Sequence, residues 1–162
     1  MVPADESAAT QLAGFIDKFE PAMAMRIRAC RAALRKRFPS ANEIVYDNYN
    51  FFVIGYSPTE RPSDTIVSLA AGANGVGLSF YHGATIADPH KLLLGSGVQN
   101  RFIRLESEKR LSDPQVVALL DAAVTQAMVP LGDGKGRLII KSISAKQRPR
   151  SAIKPNVKMK SR

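Results

Sequence analysis

The chain has 162 residues, of which 45% are hydrophobic, and a single cysteine. That length fits one domain able to bury its own core, and a lone thiol excludes an internal disulfide framework. The formal charge of +9 is unevenly placed: residues 1–134 hold all 14 acids against 13 Lys or Arg, whereas 135–162 hold 10 Lys or Arg and no acid.

The opening residues MVPADESAAT have neither the basic start nor the apolar run of a signal peptide, so residues 1–7 read as a disordered lead. No apolar run approaches the ~20 residues of a membrane-spanning helix. A cytoplasmic protein that makes no membrane contact is therefore expected. From Ser7, the spacing of Leu12, Phe15, Ile16 and Phe19 predicts an amphipathic helix. Glu20-Pro21 ends it and Pro21 opens a second helix, because proline suits a first turn. Met23, Ile27, Cys30, Leu34 and Phe38 form that helix's core stripe, and Arg28, Arg31 and Arg35 gather beside it.

Aromatic and β-branched residues then predict strands over 43–46 and 51–56, joined through Asp47-Asn48 as a hairpin. A polar loop spans 57–64. Strands over 65–70 and 76–81 follow, around the turn Gly72-Ala73-Asn74-Gly75. These short-range pairings point to an antiparallel sheet. Residues 82–100 form an irregular connection, and Arg101–Leu105 reads as a further strand. Ser112 or Asp113 caps a helix opened by Pro114, with Val116, Leu119, Leu120, Ala123, Val124 and Ala127 on its apolar face. A last strand spans 138–143. The expected architecture is α+β: an antiparallel sheet of five to six strands packed against two N-terminal helices and one C-terminal helix. The domain covers 1–144, and 145–162 is expected to be a disordered basic tail.

The block VGLSFYHGATIADPHKLLLGSGVQNRFIRL, residues 76–105, resembles the YdhG-like family, domain-of-unknown-function family 1801. The matching pieces are Gly83-Ala84-Thr85-Ile86, Asp88-Pro89, Leu92–Leu94, Gly95-Ser96-Gly97 and the basic strand Arg101–Arg104. The resemblance extends over residues 10–145. It implies an α+β fold distantly similar to frataxin and no established activity. Tyr46-Asp47-Asn48-Tyr49-Asn50-Phe51 departs from the family's Tyr-Gly-x-Pro-like stretch.

Chemistry-bearing residues concentrate in and beside the irregular connection: His82, Asp88, His90, Ser96, Arg101 and Arg104, with Tyr46, Tyr49 and Tyr81 near enough in the predicted sheet to line a pocket with them. The leading expectation is a module that binds a small molecule or protein there. The bland alternative is that Asp88-Pro89 caps a turn and the remaining groups are solvated. The second expectation is an accessory nucleic-acid binder working through Lys146, Arg148, Arg150, Lys154, Lys158, Lys160 and Arg162. A third, an enzyme using His82 or His90 with Asp88, has no nucleophile–base–orienter motif behind it. Two histidines and one core cysteine lack zinc-ligand spacing, and Gly95-Ser96-Gly97 has neither a P-loop nor a dinucleotide fingerprint. No metal and no cofactor is expected.

Overall fold

Prolines open two of the three helices. In the computed structural model, which describes residues 4–151, helix α1 spans Ala4–Ile16, α2 Pro21–Arg37 and α3 Pro114–Gln126. Pro21 and Pro114 occupy first-turn positions, where the missing N–H costs nothing. Asp113 caps α3 by accepting the Gln115 N–H at 2.9 Å. The first helix begins at Ala4, three residues before the expected Ser7 start, so only residues 1–3 of the expected lead lie outside the described residues. In α2 the expected stripe is the core face: Ile27, Cys30 and Leu34 are buried, as is Phe38 just past the helix end.

Six strands follow as β1 (Asn42–Asp47), β2 (Phe52–Ser57), β3 (Val67–Gly72), β4 (Gly75–Phe80), β5 (Arg101–Arg104) and β6 (Leu138–Ile143). They form one sheet in the order β5-β4-β3-β2-β1-β6. The first five make an antiparallel meander, as the short turns require. Gly75 closes the β3–β4 turn with φ of 151°, a conformation suited to glycine. The last strand is parallel to β1, with a bulge opposite Val45/Tyr46, because α3 carries the chain back across the sheet before β6 enters. The sheet is therefore mixed but mostly antiparallel.

The pleat divides the sheet into unlike faces. One face carries Val45, Phe52, Ile54, Tyr56, Val67, Leu69, Ala71, Val76, Leu78, Phe80 and Ile103, all buried. Leu12, Phe15 and Ile16 of α1, Ile27, Cys30 and Leu34 of α2, and Val116, Leu119 and Leu120 of α3 complete this single core. At about 25 cal/mol per Å² of apolar area, it is the dominant stabilising term. The opposite face carries Tyr46, Val53, Ser68, Ala70, Gly77, Ser79 and Phe102, all partly exposed. Among the described residues no α-helix lies on that face, but Ile44 and Gly55 at its β1–β2 end are buried, with Thr65 packed against Gly55. The turns that follow, Pro62–Asp64, Gly83–Thr85 and Glu108–Ser112, are short 3₁₀ helices.

The chain does not leave the domain at residue 144. Ser144 donates its N–H to the Asp47 carbonyl, Arg148 donates its N–H to the Tyr49 carbonyl, and Arg150 is buried. Residues 145–151 of the expected tail thus pack against the domain. A carboxylate buried at the end of β1 draws the arginine in. The remainder, 152–162, lies outside the described residues.

Candidate functional site

Several polar groups of the irregular connection bond within the connection itself. Asp88 accepts the N–H groups of Leu92 and Leu93 at 2.9 Å each, one per carboxylate oxygen. This is a local cap, which suits an aspartate ahead of a proline. His90 and Ser96 are exposed on the loop. Arg101 donates from Nη1 to the carbonyls of Gly97 and Asn100, so its guanidinium braces the loop. The carbonyl of His82 accepts from Gln126 Nε2 at 2.9 Å and from Thr85 Oγ1 at 3.0 Å, which docks the loop onto the end of α3. The imidazole packs edge-on to Tyr81 with ring centroids 4.8 Å apart. Gly83 explains its own place in the motif. A Cβ there would lie 2.6 Å from Arg101 Cβ, so only glycine lets this turn sit against β5.

Three of the expected residues lie on the other face of the sheet, spread across it and not brought together. The strand register puts Tyr46 and Arg104 in one row across the open face: Tyr46, Val53, Ala70, Gly77, Arg104. Tyr81 continues the β4 alternation toward the same side. Burial pushes the Tyr46 phenol above its ordinary pKa, and the nearby Tyr81 phenol adds to the shift. The next row reads Ile44, Gly55, Ser68, Ser79, Phe102, with Ile139 beside Ile44. Arg104 lies 5.6 Å from the centroid of Phe102. The middle of the face is thus floored by Gly, Ser and Ala, and large side chains stand at its margins. Solvated sheet faces usually carry charged or long polar residues, and this one carries almost none. Its one charged side chain at these positions is Arg104. Val53, Ser68, Ala70, Gly77, Ser79 and Phe102 were not expected as site residues. Their signal was the period-two alternation of small residues against the core positions of β3 and β4.

Tyr49 sits in the β1–β2 turn with Arg148 5.6 Å from its ring centroid. Lys146 and Arg148 are exposed, as the nucleic-acid reading needs, but Arg150 is not. Its Nη2 donates to Asp47 Oδ1 and to the Asn48 carbonyl, at 2.8 and 2.7 Å. Lys154, Lys158, Lys160 and Arg162 lie outside the described residues.

The arginines of α2 are also committed. Arg31 makes a two-pronged contact with Glu43 at 2.8 and 2.9 Å, and Tyr56 donates to the same carboxylate at 2.9 Å. Arg28 pairs with Asp17, and Arg35 lies 3.7 Å from Glu43. These three arginines border a shallow groove of about 250 Å³ between α1 and α2. A second groove of about 340 Å³ lies between α2 and α3. Among the described residues no three His, Cys, Asp or Glu side chains are grouped as a metal site would need. No helix there is long and apolar enough to cross a membrane.

The fold and surface define a small α+β domain with one covered and one open sheet face. No protein-family model matches the chain, and neither a curated protein nor a solved structure matches it.

Proposed function

We propose that this chain is a protein-binding module whose contact surface is the open face of the sheet. The observation that carries the reading is the partly exposed row pattern of Tyr46, Val53, Ala70 and Gly77 above Ser68 and Ser79. A broad face with little charge, floored by small side chains and edged by tyrosines and an arginine, has the composition of an interface core. A flat sheet face favours a protein over a small molecule, which needs a concave pocket. The order of helices, meander and Gly83–Arg104 block supports placing the chain with the YdhG-like family, a placement that adds no activity of its own.

A photo-crosslinking residue placed at Ser68 or Ala70 tests the proposal. It should trap protein adducts, whereas the same residue at Gln115, exposed on α3, should not. Equal yields at all three positions would sink it.

A second reading, contact with nucleic acid through the basic C-terminal segment, is supported by one observation. Asp47 fixes the segment up to Ser151, so the remaining basic residues start from a defined point beside exposed Lys141 and Lys146. The test compares the full chain with one stopped at Ser151 in salt-titrated DNA and RNA binding, and equal binding by both would reject it.

A further inference from the structure

We infer that residues 145–151 form a releasable strap, docked on Asp47 in the isolated chain and freed when a nucleic-acid phosphate takes Arg150. The inference rests on the nucleic-acid reading above and states how that contact is regulated. Its ground is the way the strap is held. Gln147 Nε2 donates to the Asp47 carbonyl at 2.8 Å, and the Arg148 N–H donates to the Tyr49 carbonyl at 2.8 Å. Arg150 Nη2 reaches Asp47 Oδ1 and the Asn48 carbonyl, and Ser151 Oγ donates to Glu20 Oε2 at 3.1 Å. Every one of these contacts is polar. The apolar residues of the strap, Ala145 and Pro149, are exposed, so no hydrophobic burial holds it down.

Arg150 is the weak point of the docked state. Its guanidinium is buried, yet both of its bonds come from Nη2. Among the described residues Nε and Nη1 have no hydrogen-bond partner. Buried donors in that state carry an uncompensated desolvation cost. A phosphate accepts two parallel N–H bonds from a guanidinium, a bidentate contact that Asp47 does not supply here. Arg150 therefore gains partners when it leaves Asp47 for a phosphate.

The rest of the cluster tolerates the exchange. Lys18 Nζ stays on Asp47 Oδ2, so the buried carboxylate keeps a counter-charge when the arginine departs. Lys146 and Arg148 are exposed on either side of Gln147 and bring further cations to the same phosphate backbone. Asp47 and the phosphate thus compete for one guanidinium. A docked strap weakens nucleic-acid binding by the same factor by which binding weakens docking.

The test is hydrogen exchange of the Arg148 amide, whose bond to Tyr49 exists only while the strap is docked. The full chain is measured alone and with a saturating DNA duplex of about 20 base pairs at about 50 mM salt, where phosphate contacts are strong. Protection of Arg148 should fall by about tenfold on DNA, an ordinary coupling between two sites. The Leu69 amide, inside the sheet, should not change. Arg150→Met should show the lowered Arg148 protection without DNA and no further fall with it. Arg148 still protected in Arg150→Met would mean that another contact holds the strap, and would overturn the inference. Wild type that binds the duplex with Arg148 protection unchanged or raised would also overturn it, while leaving the nucleic-acid reading intact. A full chain that does not bind the duplex rejects that reading and the inference with it.

Discussion

Arg150 Nη2 lies 2.8 Å from Asp47 Oδ1, with side chains 2% and 0% exposed, so a residue near the C-terminus completes a buried ion pair at the end of β1. Lys18, from the end of α1, takes the other oxygen, and Gln147 donates to the Asp47 backbone carbonyl. Among the described residues Arg150 Nε and Nη1 have no hydrogen-bond partner, so the docking is not saturated by them. The group joins the α1–α2 corner, the first strand and the last described residues.

Removing the carboxylate should therefore cost more than removing the arginine. Asp47→Asn leaves a buried guanidinium and a lysine without their counter-charge, which costs about 3–5 kcal/mol. Arg150→Met should cost less, because Asp47 keeps Lys18 and two unsatisfied donors disappear. Urea denaturation of both variants measures the difference. A smaller loss for Asp47→Asn than for Arg150→Met would contradict this account.

The same pair sets an acid limit on stability. Burial pushes the Asp47 carboxyl up, but hydrogen bonds from Lys18, Arg150 and Gln147 prevail and hold it below 3.8, its ordinary value. A depressed carboxyl contributes fully above its unfolded pKa and is lost as pH falls through the folded one. Wild type should lose stability progressively below about pH 4, the ordinary aspartate range. Asp47→Asn should lack that component, read as a shallower fall of the urea midpoint between pH 5 and pH 3. Parallel curves would exclude the linkage.

Cys30 should be chemically inert in the native protein. Burial raises its thiol to about 11 from 9.0, and Glu108 adds to the shift. The nucleophile is the thiolate, so alkylation at pH 8 should be slow when folded and rapid in denaturant. Equal rates would place Cys30 at the surface.

Gly83→Ala tests the close approach of the 3₁₀ turn to β5. The added methyl meets Arg101 Cβ and, at 3.1 Å, Phe80 Cβ, both on ordered strands or their ends. Overpacking of this kind costs about 1–3 kcal/mol. A thermal-unfolding midpoint unchanged from wild type would show that the turn can move away.

Burial of Arg150 also changes the nucleic-acid arithmetic. With all seven tail cations on duplex phosphates the salt slope would be about −6, and with Arg150 withheld it is about −5. A chain stopped at Ser144 is the wrong control, because it removes the Asp47 partner and destabilises the domain. Stopping at Ser151 removes Lys154, Lys158, Lys160 and Arg162 alone among the tail cations.

Much of the fold was legible because local rules govern it. The stripe Ile27, Cys30, Leu34 needed only helical periodicity, and Asp113-Pro114 needed only capping chemistry. The β1–β2 and β3–β4 hairpins followed from turn residues between short apolar runs. The candidate site was less legible. His82, Asp88 and Arg101 looked like a convergent set, yet the Asp88 and Arg101 side chains bond nearby backbone groups and the His82 ring packs on Tyr81. Spacing cannot distinguish a carboxylate that faces a ligand from one that caps its own turn.

By itself, then, the sequence determined the helices, the hairpins and the α+β class, since each depends on contacts within a few residues. The charge split between residues 1–134 and 135–162 was likewise plain in it. Only the tertiary structure decided three things: that β6 enters parallel beside β1, that one sheet face stays open, and that the basic segment begins as part of the domain. Each depends on which distant groups meet. Arg150 is buried and not solvated because Asp47, 103 residues earlier, is buried too and needs a counter-charge.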